Sequence, residues 1–358
     1  MVQELPSGEW IDLAAPLSGA QVTRSLSAAA SLSGTLPIEL AHLTGRLREW
    51  GTAIYAVEGD QLRGGGIIPD GGVSYDDQQV SIDAVGPSSW LHGQPWLTAD
   101  RSYIDADPAT IDQDIWDRMQ AWAGGFLGVT LDPLTTTKRI GEPERDVNFQ
   151  TSTGQDVEFT AGPYRLSWWQ TANVGQERAR LLEDAGIEWQ EVPNWAPGQA
   201  RAVRWHIRRA FPRLGARRHQ RLTVGAEIIQ VPPVQHEPYS SDVLVLGAGE
   251  GSATVSATAS RTTDRLRRAA LVTAKGIGRR PTAETRARSE AARRTGTSVV
   301  GSIVVVPTET FDPWQVQPGD ELPISGDAGW VQLDHWVRVI EITADCESGE
   351  HTMEVVPA

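Results

Sequence analysis

Three glycines at alternate positions, Gly247, Gly249 and Gly251, follow an apolar run from Val243 to Leu246. A strand that enters a glycine-rich turn begins a phosphate cradle when a helix comes next, because the helix N-terminus and its free N–H groups then face the pyrophosphate. Here the third glycine stands one position early. The residues after it, Ala253 to Ala259, alternate small apolar with hydroxyl side chains, which is the period of a strand. The stretch therefore predicts a strand–turn–strand element. Its glycines supply positive φ or a bulge where two strands reverse, and no cofactor is expected.

The other groups able to do chemistry are scattered. His42, His92, His206, His219, His236, His335 and His351 form no His-x-x-x-His or Cys/His spacing, so no metal ligand set is expected. Gly-x-Ser-x-Gly and the P-loop pattern are missing. Asp76-Asp77 and Glu142/Glu144 are the acid pairs available to a glycosidase, but both stand in polar, turn-like sequence where carboxylates are ordinarily solvated. The single cysteine, Cys346, excludes an intramolecular disulfide and sits in a late polar turn with no His or Cys beside it, as a structural thiol does. No catalytic residue is assigned.

Charge narrows the partners. The chain is net −14 with a pI near 5.0, so its surface as a whole does not grip nucleic acid. Residues 201–221 carry eight arginines and no acid: Arg201, Arg204, Arg208, Arg209, Arg213, Arg217, Arg218 and Arg221. This block reads as an arginine-rich strand face with an exposed loop, or as a surface for an acidic partner. It lacks the interleaved aromatics of a single-strand binder. Fourteen tryptophans point mainly to core packing, and Trp195 and Trp314, beside prolines, are candidates for protein contacts.

These residues need elements to hold them. Residues 1–50 predict irregular strands. Thr52 to Val57 is an apolar strand, Gly64-Gly65-Gly66 a bulge, and Val80, Ile82 and Ala84 one face of another strand. Asp107-Pro108 caps a helix whose Ile111, Ile115, Met119 and Trp122 face inward, with Asp112, Asp114 and Asp117 on the solvated side. Residues 132–160 read as polar and turn-rich. Asn173 caps a second helix, with Gln176 at the capping-box position and Gly186 as its stop. Strands follow around Ile187–Trp189, Val203–Ile207 and Leu222–Ile228. Strands near Val255 and Leu271 lead to a helix striped by Ala283, Ala287 and Ala291, ended by Gly296. Ser298 to Val306 reads as a strand buried on both faces. Pro318-Gly319-Asp320 is a turn, and Trp330–Ile342 and Met353–Val356 are the last strands. No run is apolar enough to span a membrane. The N-terminus lacks a basic and an apolar region, so cytoplasmic synthesis without a secretory signal is expected.

Leu244-Val-Leu-Gly-Ala-Gly-Glu-Gly251 resembles the glycine turn of the tail-hub proteins of long-tailed siphovirus bacteriophages, the baseplate-hub-like minor tail proteins of actinobacterial phages. Further landmarks stand in the same order: Asn148-Phe149 with Gly162-Pro163-Tyr164-Arg165-Leu166, Glu188-Trp189-Gln-Glu191 before Trp195, Phe211-Pro212-Arg213-Leu-Gly215, and Pro318-Gly319-Asp320. The similarity runs over most of the chain and rests on the order of the motifs.

The resemblance implies a β-rich α+β fold with two small tail-tube-like β-barrels and α+β modules between and inside them. The limits fall at about 1–107 for the first barrel, 108–225 for the α+β module and 226–358 for the second barrel, with a helical insertion near 262–297. It implies a non-enzymatic virion protein at the tail tip, made in the host cytoplasm. Its partners would be two further copies of itself, the distal tail protein, the tape-measure protein and other tip proteins. Genomic DNA would pass without specific binding. Two other readings stay open: a tail-associated cell-wall hydrolase, and a carbohydrate-binding tip protein that uses exposed tryptophan.

Overall fold

A computed structural model describes residues 1–358 except 38, 40–42, 44, 77–78, 151–155, 197–201, 233–238, 250, 252–253, 263, 275–276 and 295–299. Arg201, His42, His236, Asp77 and Gly296 lie outside the described residues. The chain divides into two compact units. The main unit comprises Met1–Val147, Phe159–Val231 and Ser302–Ala358. The small unit comprises Asn148–Glu158 and Pro232–Gly301.

The protein is β-rich. Among the described residues the main unit is built on a fourteen-stranded sheet. Its path runs through Ile228–Gln230, Ser302–Val305, His351–Pro357, Gln332–Asp345, Ser18–Ser25, Ser31–Pro37, Gln79–Val85, Gln61–Ile67, Thr52–Glu58, Val2–Glu4 and Trp10–Asp12. Strands from the two ends of the chain thus lie side by side, with Glu341 paired to Ser25 and Asp345 to Gln21. The path is open, and no closed barrel forms among the described residues. Alternation sets each strand's buried face: Val80, Ile82 and Ala84 are inside, and Asp83 is exposed. The three glycines in Gln61–Ile67 are not themselves the bulge. The register slips one residue earlier, where Ala56 pairs Gly64 and Val57 pairs Leu62. The glycines allow close approach instead: a β-carbon at Gly64 would fall 2.3 Å from Val22, and one at Gly66 2.6 Å from the backbone of Ala84.

The α+β part of the main unit follows its caps. Helix α1, Pro108–Gln120, starts where Asp107 Oδ1 accepts the Ala109 N–H at 2.9 Å. Helix α2, Val174–Ala185, starts where Asn173 accepts the Gln176 N–H at 3.0 Å and stops at Gly186, φ 72°. The two helices pack together over the three-stranded sheet Val129–Leu131, Val203–Ala210, Glu188–Trp195. Ile111, Ile115, Trp116, Met119, Leu182, Trp189, Trp205 and Ile207 form the core between them. Asp112 departs from the expected solvated face. It is fully buried, because Arg178 and Arg209 come from other elements to meet it. Leu222–Ile228 is two short strands, Leu222–Thr223 and Ile228–Gln230, because Gly225 at φ 86° reverses the chain between them. The stretch read as turn-rich holds a paired two-stranded ladder, Arg145–Gln150 and Asp156–Ala161.

In the small unit, Asp242–Leu246 runs antiparallel to Ser256–Ser260 and parallel to Ala269–Thr273. The chain reverses through the glycine turn, where Gly249 holds φ 105° and Gly251 φ 56°. A β-carbon at Gly247 would lie 2.3 Å from the Ile277 carbonyl oxygen. Helix α3, Arg280–Arg293, lays Ala283, Ala287 and Ala291 against Val243, Val245 and Ala257. Small side chains on the helix allow that close packing.

Candidate functional site

Three of the landmark motifs converge on Arg338, in the long strand Gln332–Asp345. Its guanidinium donates to both carboxylate oxygens of Glu188, to the Leu214 carbonyl at 3.0 Å and to the Gly319 carbonyl at 3.2 Å. Glu188 also accepts the Leu214 N–H at 2.7 Å. Asp320, buried beside it, accepts from the Ala216 N–H at 2.7 Å, the Gln317 N–H at 3.0 Å and Arg218 Nε at 2.9 Å. Glu191 is buried and accepts the N–H groups of Ala30 at 2.9 Å and Ser88 at 2.7 Å. Burial pushes its carboxyl upward, against the pull of those two donors. Three motifs distant in sequence are thus one internal clamp that ties the strand Glu188–Trp195 to the strand Gln332–Asp345, while Glu191 ties the same strand to the backbone at Ala30 and Ser88. Sequence reasoning did not single out Arg338. An arginine flanked by Val337 and Val339 in an apolar strand was the available signal.

The arginine block is largely engaged within the chain. Arg209 is buried, donating to Asp112 at 2.9 Å and to the carbonyls of Ala109 and Asp132. Arg213 and Arg217 pair with Glu321 at 3.3 and 3.9 Å, Arg218 with Asp320, and Arg221 with Asp334 at 3.0 Å. Arg217 also stacks 4.0 Å from the centre of the Trp336 ring. Arg204 is exposed and Arg208 half-buried.

Trp195 and Trp314 both line a cleft of about 860 Å³ in the main unit, with Leu13, Leu17, Tyr55 and Arg63 on its walls. Trp195 ends its strand and donates its indole N–H to the Asp60 carbonyl at 2.8 Å. Trp314, in the short helical turn Pro313–Gln315, carries two guanidiniums: Arg24 lies 5.1 Å and Arg63 4.8 Å from its ring centre. His351 meets its edge at 4.8 Å. Burial, followed by the Arg63 charge, brings Arg24 down to about 10. Cations on an aromatic face beside apolar walls suit an acidic or apolar side chain from a protein partner.

Candidate catalytic groups are dispersed. Glu142 pairs with Arg145 at 2.6 Å and Glu144 with Arg165 at 3.4 Å; Asp76 accepts the Gln79 N–H at 2.7 Å. Among the described residues no group of three His, Cys, Asp or Glu is placed to hold a metal. One arrangement was not read from the sequence. His206 contacts the Thr130 hydroxyl at 3.1 Å and Asp132 at 2.7 Å, because parallel pairing sets Thr130 opposite His206 and Asp132 follows two residues on. The Thr130 hydroxyl also donates to the Trp205 carbonyl at 3.3 Å, which ties it to the sheet.

Known structures share this architecture along its length. The 43 kDa tail protein of prophage MuSo2 from Shewanella oneidensis superposes with a TM-score of 0.58 at 15% identity, over 99% of this chain and 97% of that one. The fold is that of a tail protein. A tail protein from Neisseria meningitidis MC58 gives 0.54 at 12% identity, over 100% and 96% of the two chains. No family model and no curated protein matches the sequence.

Proposed function

We propose that this chain is a structural virion protein, a tail-tip (baseplate) hub of a long-tailed phage. Three copies form a ring of pseudo-sixfold symmetry that joins the tail tube and distal tail protein to the other tip proteins. The tape-measure protein ends near its channel, and the genome passes through. The observation that carries this reading is the end-to-end fold match to the MuSo2 tail protein, which leaves little of either chain unmatched. In this reading residues 1–107 and 226–358 supply the two tube-like layers, residues 108–225 the module between them, and 262–297 the insertion. The acidic balance suits a channel that passes DNA without holding it, since like charge keeps phosphate off the wall.

Light scattering on the purified chain across a concentration series tests the ring. The expected mass is three times the 38.9 kDa chain. A chain that stays monomeric, even with its distal tail and tape-measure proteins added, refutes it. The competing reading, a cell-wall hydrolase, has Thr130, His206 and Asp132 as its assembled set of groups among the described residues. A zymogram on host cell walls decides that point, and no clearing is expected.

A further inference from the structure

The small unit has an open sheet edge beside a helix. Among the described residues its sheet runs in the order Ser256–Ser260, Asp242–Leu246, Ala269–Thr273, so Ser256–Ser260 is an edge strand. The Gly247 N–H donates to the Val255 carbonyl at 2.6 Å and the Arg261 N–H to the Ser241 carbonyl at 2.8 Å. Antiparallel pairing alternates, so the backbone groups of Ala257 and Ala259 turn toward Asp242–Leu246. Those of Ser256, Thr258 and Ser260 turn outward and have no backbone partner among the described residues. Edge strands are ordinarily blunted by charge, proline or a bulge. Ser256–Ser260 carries no charge and no proline, and its register with Asp242–Leu246 is unbroken. Helix α3 packs over these two strands and walls the open edge. A groove of about 290 Å³ lies between edge and helix, lined by residues 257–260 of the strand and by Arg280, Glu284 and Arg288 of α3. Arg280 pairs with Glu284 at 3.3 Å. Arg288 is exposed and holds no ion pair among the described residues.

We infer that this groove takes an extended, acidic segment of another protein, which adds as a further strand beside Ser256–Ser260. The outward N–H and C=O groups recur at every second residue, about 7 Å apart. An extended polypeptide offers matching groups at that spacing, and nucleic acid does not. Alternate side chains of the added strand fall on the α3 side, against the small Ala257 and Ala259. An acid there completes the ion pair that Arg288 lacks within the chain. Arg280 and Arg288 stand about 12 Å apart along the helix, the span of about four strand residues, so acids at alternate positions reach both cations. A second copy adding through the same edge would bring the same arginine-bearing stripe against itself, and like charge opposes that. The open edge belongs to each single chain, so this docking does not depend on three copies forming a ring.

The test titrates the full-length chain into a fluorescein-labelled Thr-Glu-Thr-Glu-Thr-Glu-Thr peptide and follows the anisotropy. Binding is expected at about 0.1 mM or tighter. The peptide with lysine in place of glutamate should bind at least about tenfold more weakly. Methylating every amide nitrogen of the acidic peptide removes its strand pairing but not its charge, and should abolish binding. Thr258→Pro loses an N–H that points outward, so the sheet keeps its own hydrogen bonds while the peptide is no longer held. Arg288→Glu, on the exposed side of α3, should reverse the preference between the acidic and the lysine peptide. Absence of binding by the acidic peptide up to about 1 mM overturns the docking. So does equal binding of the lysine or the methylated peptide, or an Arg288→Glu chain that binds as the wild type does. A Thr258→Pro chain whose mass by light scattering falls, with its thermal unfolding unchanged, assigns the edge to a second copy and overturns it too.

Discussion

Gly215 and Gly319 meet backbone against backbone: a β-carbon on Gly215 would fall 2.2 Å from the Gly319 carbonyl carbon. Both hold positive φ, 101° and 98°. Alanine at 215 is therefore strained in itself and strikes main chain, which has no side-chain freedom with which to yield. Gly215→Ala is expected to cost more than about 4 kcal/mol. Gly225→Ala shares the positive φ but meets open space, so it should cost only about 1–2 kcal/mol. Urea unfolding of both variants measures the difference. Equal losses would mean that the Gly215–Gly319 approach contributes nothing beyond backbone strain.

Asp112 sits between two cations, Arg178 Nε at 2.7 Å and Arg209 Nη1 at 2.9 Å, all three side chains out of water. Arg178 also lies 4.5 Å from the centre of the Trp189 ring. Removing the carboxylate leaves two buried positive charges facing each other. Asp112→Ala should destabilise by about 3–5 kcal/mol. Asp117→Ala, on the exposed side of the same helix, should stay within about 0.5 kcal/mol. If the two variants unfold at the same urea concentration, the charge cluster is not a stabilising element.

These cases show what could be read from the sequence and what could not. Caps act within one turn, so Asp107, Asn173 and Gly186 were legible as helix signals. Alternation marked Val80, Ile82 and Ala84 for the same local reason. The fate of Asp112 was set by partners 66 and 97 residues away, and periodicity alone put it on the solvated face. The clamp at Arg338 likewise joins residues 124 and 150 positions apart. The ladder at Arg145–Gln150 and Asp156–Ala161 was missed because polar composition outweighed the alternation of Val147 with Phe149 and Val157 with Phe159. The arginine block was legible as charge, but not as pairs, because Glu321 and Asp334 lie far along the chain.

His351 should make stability depend on pH. Burial is the main cause that lowers its imidazole from the usual 6.5 to about 4; the Gly349 carbonyl opposes this, and the Arg24 charge adds to it. The neutral ring belongs to the folded chain, so unfolding takes up a proton between those two values. The contribution is whole above pH 6.5 and is lost as the pH falls toward 4. Melting temperatures measured from neutral pH down to that value should fall more steeply for the wild type than for His351→Gln. Parallel curves would exclude His351 as the titrating group.

Glu188 and Arg338 carry the last expectation. Arg338 has 10% and Glu188 21% of its side-chain surface exposed, so their fork-to-fork contact is shielded from the screening that weakens surface pairs. The same guanidinium holds the Leu214 and Gly319 carbonyls, so each single alanine variant removes more than the pair. A double-mutant cycle of Glu188→Ala and Arg338→Ala isolates the pair, and a coupling of about 2 kcal/mol is expected. Arg338→Lys keeps the charge but not the planar fork, and should retain less than half of that coupling. A coupling near zero would mean that Arg338 acts through the two carbonyls alone, holding the Leu214 and Gly319 turns together without help from Glu188.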